Sequence, residues 1–270
     1  MSLISENELV QALANVAVVL VEPKYPENVG AAARVAMNCG ISRLIVVRDE
    51  APDREKMLKM ATHKAAELID RLELHDNLAS ALAEFPVVVG TSARQGRQRR
   101  PPNSPRITMS KVVPLLAENK TALMFGPEHR GLTNDDLKYC RFTSTIPTAD
   151  FASLNLAQAV GIHCYELYHE LLYGQAGVTG FAPKQADTAE MEGMYDHIDE
   201  VLRKIEFLKT THHEQDDYWR NSIRKFLGRL GLQSREVRII RGFCRQFLWY
   251  EDNRGKRLEL PPIDFGDSED

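Results

Sequence analysis

Short apolar runs and longer periodic stretches alternate through roughly the first two thirds of the chain. NVAVVLVEP (15–23), RLIVVRD (43–49), FPVVVGTS (85–92), TALMFGPE (121–128) and RFTSTIPT (141–148) are rich in Val, Ile, Leu and Thr. Runs of that length and composition, bounded by turn residues, predict buried strands. Between them lie stretches of helical character: VGAAARVAMNCG, THKAAELIDRLE, NLASALAEF, MSKVVPLLAEN, NDDLKYC and the long LNLAQAVGIHCYELYHELL. Strands alternating with helices predict an α/β fold, with a mainly parallel sheet covered on both faces.

The pattern breaks over Tyr173–Asp187, YGQAGVTGFAPKQAD, where Gly, Ala and Pro without periodicity predict a linker. Beyond it Met191, Met194, Ile198, Val201, Leu202, Ile205 and Leu208 mark one face of a helix. SIRKFLGRLGL follows, then SREVRIIRGFCRQFLWYED, which Ser234 is placed to cap. In that last helix Val237, Ile240, Cys244, Phe247 and Leu248 form an apolar stripe, while Arg238, Arg241 and Arg245 share another face. The expected division is an α/β domain over 1–172, a linker over 173–187, a small all-helical domain over 188–252 and an acidic, proline-containing tail over 253–270.

Composition narrows the classes. With 270 residues, 43% hydrophobic and 27% charged, the chain has the make-up of a soluble globular protein able to bury a sizeable core. No apolar run approaches the roughly 20 residues of a membrane span, and MSLISENELVQALAN lacks the layout of a signal peptide. Cys39, Cys140, Cys164 and Cys244 lie far apart, which argues for buried thiols in a reducing cytoplasm rather than zinc or disulfides. His212 and His213 have no metal-binding partners at a recognisable spacing, so no metal is expected.

The net charge of −4 does not itself suggest nucleic acid, but its distribution is uneven. No acid falls between Phe85 and Ala117, where Arg94, Arg97, Arg99, Arg100, Arg106 and Lys111 gather. A second basic region runs from Arg220 to Arg245. Either region suits a phosphate backbone, or is a solvated surface.

Neither GxGxxG after a strand nor GxxxxGK[ST] is present, which removes support for a typical dinucleotide fold and a P-loop ATPase. Instead, three polar, mostly glycine-bearing loops each follow a strand. In Pro26-Glu27-Asn28-Val29-Gly30 through Arg34, Asn28 can cap the helix, and Gly30 admits a backbone or a ligand at close range. Taken alone, this is equally a capped helix with a solvated arginine. In Phe125-Gly126-Pro127-Glu128-His129-Arg130-Gly131-Leu132 a tight turn fixes Glu128, which faces either a site or water. In Ile146 to Val160, Ser153 or Asn155 can cap the next helix, and capping explains one of them more readily than both.

In that order N-x-G-x-x-x-R, FGPExxGL and IPxxxxxxSLNLAxA resemble the three motifs of the SPOUT (class IV) RNA methyltransferases of the TrmH type. The match runs from about Val16 to Leu172, and the added helical unit is most similar to the TrmJ branch. The resemblance implies a C-terminal trefoil knot in the α/β domain, and S-adenosylmethionine bent among three loops. Those loops carry Thr91, Ser92 and Ala93; Phe125, Gly126, Glu128 and Gly131; and Ile146, Ser153, Leu154 and Asn155.

It further implies a homodimer whose active site is shared, with Asn28 and Arg34 facing the cofactor held by the other subunit and Glu128 positioning substrate or Asn28 across the dimer. Asn28, Arg34, Glu128, Ser153 and Asn155 would form the catalytic set. Arg34 acts in this reading as general base, or as an anchor for a phosphate and a developing alkoxide, since a guanidinium is almost never neutral. The implied reaction is methylation of a ribose 2′-hydroxyl in tRNA, at nucleotide 32 of the anticodon loop, in the cytoplasm. Arg94, Arg97, Arg99, Arg100 and Arg106, with Arg238, Arg241 and Arg245, would hold the RNA. Ribosomal RNA as substrate, or a non-catalytic RNA-binding protein of the same fold, are the alternatives.

Overall fold

The computed structural model of the chain describes residues 4–92, 103–149, 154–174, 183–208 and 213–254. Among these, the strands are β1 (Val16–Val21), β2 (Leu44–Val47), β3 (Glu73–His75), β4 (Val87–Thr91), β5 (Thr121–Phe125) and β6 (Phe142–Ser144). They form one sheet in the order β3-β2-β1-β5-β4-β6, and every neighbouring pair is parallel. The helices in chain order are α1 (Glu6–Ala14), α2 (Pro26–Asn38), α3 (Arg54–Met60), α4 (His63–Asp70), α5 (Leu78–Leu82), α6 (Pro105–Val112), α7 (Asn134–Leu137) and α8 (Leu156–Tyr173). The last three are α9 (Thr188–Lys204), α10 (His213–Gly228) and α11 (Ser234–Asp252).

The central strands are apolar at nearly every position because helices cover both faces of the sheet. Val16, Val18, Leu20, Val89, Leu123 and Phe125 point into a core shared with α2, α6 and α8. Ala17, Val19, Val88, Ala122 and Met124 point to the other face, beneath α5 and Leu132. Alternate residues of one strand thus feed two cores, as the two-residue period requires.

Several expectations are corrected. Asn28 does not cap α2: the cap position is Tyr25, without a side-chain bond, because Pro26 takes the first helical position. Gly30 admits a backbone and not a ligand, since a Cβ there would lie 1.9 Å from the Met57 carbonyl oxygen of α3. The stretch Thr62–Glu73 is not all helix. Its helix stops at Asp70, and Glu73 enters β3, paired with β2 and held by Arg43 Nε at 2.6 Å. Ser234 is the first residue of α11 and bonds Glu190 Oε2 at 2.8 Å, while Gln233 caps the helix.

The helical region has a small core of Ala186, Met194 and Val237 between α9 and α11. It is fastened to the α/β region by backbone as well as side chains. Ala189 N donates to Ala83 O at 3.1 Å, Thr188 Oγ1 to Phe85 O at 2.8 Å, and Gln185 N to Asn119 Oδ1 at 2.8 Å. Arg141 also reaches Gln185. Among the described residues no helix is long and apolar enough to cross a membrane.

Candidate active site

The order of the sheet decides where the loops meet. From β1 the chain moves outward through β2 to β3, then returns to the far side of β1 as β4, β5 and β6. The strand order therefore reverses between β1 and β5, and the carboxyl ends of strands at such a reversal open a crevice. Leu20 is in register with Phe125, so the loops after β1 and β5 leave the sheet side by side.

Three polar side chains close across this crevice. Asn28 Nδ2 donates to Glu128 Oε1 at 2.6 Å, and Asn155 Nδ2 donates to Asn28 Oδ1 at 2.8 Å. Asn155 Oδ1 in turn accepts from Ala157 N at 2.8 Å, as the cap of α8, and its own N–H reaches Gln158 Oε1 at 3.1 Å. Lys24 N donates to Glu128 Oε2 at 2.9 Å. One string of bonds thus runs from the start of α8, through α2, to the loop after β5. The whole string lies within this one chain.

The protonation state follows from those bonds. Burial raises the Glu128 carboxyl, but donors outweigh it: the Asn28 amide and the backbone N–H groups of Lys24, Tyr25 and Glu128 itself hold it below the usual carboxylate range. An ionised, multiply bonded carboxylate is a weak base and a firm acceptor, and this geometry suits Glu128 to ordering its neighbours. Each asparagine amide spends one of its two N–H donors on the string, and the other has no partner among the described residues. Tyr25, Glu27 and Leu154 complete the walls of an open cleft of about 570 Å³ with these three. That volume and polar lining suit a nucleoside-sized ligand.

Gly126 and Gly131 shape the second loop. A Cβ on Gly126 would lie 2.3 Å from Gly131 C and Leu132 N, so the loop folds back onto its own start. Gly131 sits at φ +67°, with its N–H 2.8 Å from Pro127 O. Arg130 Nη2 meets Glu22 Oε2 at 2.6 Å, a further tie across the crevice.

The other predicted cofactor residues gather beneath the loops. Thr91 Oγ1 donates to Met124 O at 3.2 Å, Ser92 N donates to Ser144 O at 2.9 Å, and Thr145 Oγ1 bonds Ser92 O. Phe125 is buried, and Ile146 and Leu154 are half-buried. At the centre of this layer lies His163 of α8, 1% exposed, a residue the motif reading passes over. The signal was present in sequence: His163 interrupts the apolar stripe Leu156, Val160, Cys164, Leu167, Leu171.

Burial pushes His163 down to about 4, against weaker raising contributions from the Ala159 carbonyl and Glu166. An unfolded histidine titrates near about 6.5, so between that pH and about 4 only the unfolded chain takes up the proton. Stability is therefore full above that window and falls as pH is lowered through it, by about 3 kcal/mol at its foot. In His163→Leu, urea denaturation is expected to give a flatter dependence of unfolding free energy on pH over this range. Parallel curves for the two proteins would refute the assignment.

The remaining predicted residues are placed as follows. Arg34 is exposed on α2 and makes no ion pair or hydrogen bond among the described residues. Arg106 is paired with Glu166 of α8, Nε to Oε2 at 3.1 Å. Arg238 and Arg245 are exposed, but Arg241 leans on α9, with Nε 3.3 Å from His197 Nδ1, so the three do not form one free face. Arg220 and Arg224 of the second basic region are engaged by Asp199 and Glu192. Ala93, Arg94, Arg97, Arg99, Arg100 and Ser153 lie outside the described residues. No group of three metal-ligating side chains occurs among the described residues.

The sequence matches the SpoU rRNA Methylase family over residues 15–165, and the tRNA methyltransferase TrmJ C-terminal domain over residues 189–257. Similar proteins include the tRNA (cytidine/uridine/adenosine-2′-O-)-methyltransferase TrmJ of Pseudomonas aeruginosa, 33% identical over 87% of this chain and 94% of that one. The tRNA (cytidine/uridine-2′-O-)-methyltransferase TrmJ of Salmonella typhimurium is 32% identical over 90% of this chain and 100% of its own length. Among solved structures, TrmJ from Z. mobilis superposes with a TM-score of 0.73 at 28% identity, covering 85% of this chain and 97% of that one.

Proposed function

This chain belongs to the SpoU methylase family, and from that premise we propose that it methylates the ribose 2′-hydroxyl of nucleotide 32 in the anticodon loop of tRNA, using S-adenosylmethionine. The observation that carries this reading is the Asn155–Asn28–Glu128 string, which ties all three motif loops around one cleft. The tRNA assignment draws on the relatives that act on tRNA and on the TrmJ-type C-terminal region.

S-adenosylmethionine supplies a methyl group on a sulfonium, which an oxygen nucleophile attacks in line with the departing sulfur. The chain's part is to align these groups and to exclude water, and alignment alone supplies several kcal/mol. Glu128 fixes the loop after β5, and the free N–H groups of Asn28 and Asn155 offer donors to ribose oxygens. We assign Ser153, which lies outside the described residues, to the same set. Arg34, about 9 Å along α2 from Asn28, has no charged partner among the described residues. We assign it to the active site of the partner in a homodimer, where it anchors a phosphate and the developing alkoxide.

The test is incubation with unmodified tRNA and isotopically labelled S-adenosylmethionine, followed by nuclease digestion and mass spectrometry. A labelled 2′-O-methylnucleoside at nucleotide 32 is expected. Label taken up only in a parallel incubation with ribosomal RNA would move the substrate, and a methylated base would overturn the chemistry. Absence of S-adenosylmethionine binding in calorimetry would mark a non-catalytic RNA-binding protein.

A further inference from the structure

His163 is polar, enclosed, and placed where an apolar side chain would continue the stripe of α8. A buried polar group is costly unless its bonds are made, and here both ring nitrogens are used. Nδ1 lies 2.8 Å from the Ala159 carbonyl, which can only accept, so Nδ1 carries the proton. Nε2 is then the acceptor, and the Ser144 hydroxyl donates to it at 2.9 Å. The tautomer is set by the helix, and the helix thereby dictates the direction of the serine hydroxyl.

Ser144 ends β6 and is itself fully buried. Its register partner is Thr91, its carbonyl accepts from Ser92 N, and it forms a parallel bridge with Asn103. The next residue, Thr145, bonds Ser92 O and Asn103 O and leads into the loop that starts at Ile146. The His163 ring also meets Phe125 edge-on, with centroids 5.4 Å apart and planes at 83°. Phe125 ends β5 and precedes Gly126. One imidazole therefore touches, or holds through one serine, the roots of all three loops. Asn155 caps the helix that carries His163, so α8 is tied to both ends of the third loop.

We propose that His163 is a positioning residue for the cofactor site, fixing through Ser144 and Phe125 the relative placement of the Thr91–Ser92 turn, the Gly126 loop and the Ile146 loop. This rests on the reading of those loops as the S-adenosylmethionine site. The imidazole does not touch the reacting atoms, so its loss acts on cofactor binding and not on the methyl-transfer step.

Three variants of the full chain test it: His163→Leu, His163→Gln and Ser144→Ala. Gln keeps an acceptor where Nε2 was, Leu keeps bulk without one, and Ser144→Ala removes the same bond without changing the helix. For His163→Leu, calorimetric Kd and KM for S-adenosylmethionine are expected to rise about tenfold together, with kcat at saturation within about twofold of wild type. Ser144→Ala is expected to shift Kd in the same direction, and His163→Gln to return it to within about threefold. A folded His163→Leu that binds S-adenosylmethionine as wild type does would overturn the proposal, as would a His163→Gln no better than Leu. Should His163→Leu not fold, an unchanged Kd in Ser144→Ala overturns it by itself. Wild-type protein that binds no S-adenosylmethionine removes the reading of the loops, and this role with it. Normal wild-type binding together with unaffected variants removes the role alone.

Discussion

Arg34→Ala is expected to lower kcat by about 10³-fold or more, while the calorimetric Kd for S-adenosylmethionine stays within about threefold of wild type. The reason is the side chain's isolation. Of the arginines near the crevice, Arg130 is held by Glu22 and half-buried, whereas Arg34 has no ion pair or hydrogen bond among the described residues. A guanidinium that stabilises charge only as the 2′-oxygen loses its proton contributes to the transition state and little to the bound cofactor. Arg34→Lys separates the roles proposed for it. An ammonium preserves the charge but not the fork, so partial recovery of kcat indicates charge stabilisation and none indicates bidentate phosphate anchoring. Turnover at the wild-type rate in Arg34→Ala would remove Arg34 from the catalytic set. If the site is shared between subunits, mixing Arg34→Ala with a Glu128 variant would restore activity in the heterodimers, because one of their two sites is intact.

The strands were readable because a parallel sheet covered on both faces needs continuous apolar and β-branched residues, and these occur in five separate runs, four built on Val, Ile and Leu and the last on Phe and Thr. β3 was hidden for the same reason in reverse. It is a three-residue edge strand, Glu-Leu-His, with no position fully buried, and it directly follows a helix whose pattern swallows it. A cap at Ser153 or Asn155 was legible, and Asn155 takes it, with Gln158 three residues on where a capping box requires it. Asn28 misled because a residue with strong cap preference stood near a helix start, while Pro26 had already fixed that start two residues earlier. The bond from Asn28 to Glu128 spans 100 residues of sequence, and no local pattern encodes it. The three motifs marked which loops matter; the strand order alone brings two of them together. Arg241 shows the limit of a helical wheel. It projects beside Arg238 and Arg245, but α9 stands next to it and half-buries it.

The two glycines of the second loop separate two physical demands that sequence writes with the same letter. Gly126 has an ordinary backbone and no room, for a Cβ would collide with main-chain atoms of Gly131 and Leu132 at 2.3 Å. Gly131 has room, with nothing within 4 Å of a Cβ, but an unfavourable φ of +67°. In Gly126→Ala the colliding atoms are backbone and cannot rotate aside, so the loop must reopen. Glu128 then leaves the Asn28 amide and the Lys24 N–H, and the string to Asn155 loses its anchor. Affinity for S-adenosylmethionine is expected to fall by on the order of a hundredfold, the equivalent of two or more hydrogen bonds. Gly131→Ala costs about 1 kcal/mol of backbone strain, with Kd changed by less than about threefold because the loop keeps its path. Thermal unfolding and calorimetry on both variants decide the matter. Gly126→Ala should show a large loss of binding with a smaller loss of stability, since the loop lies at the rim of the sheet and, apart from Leu132, the two cores beneath it are not displaced. Equal binding losses in the two variants would mean that the turn's handedness, not the close approach at Gly126, sets the geometry of the site.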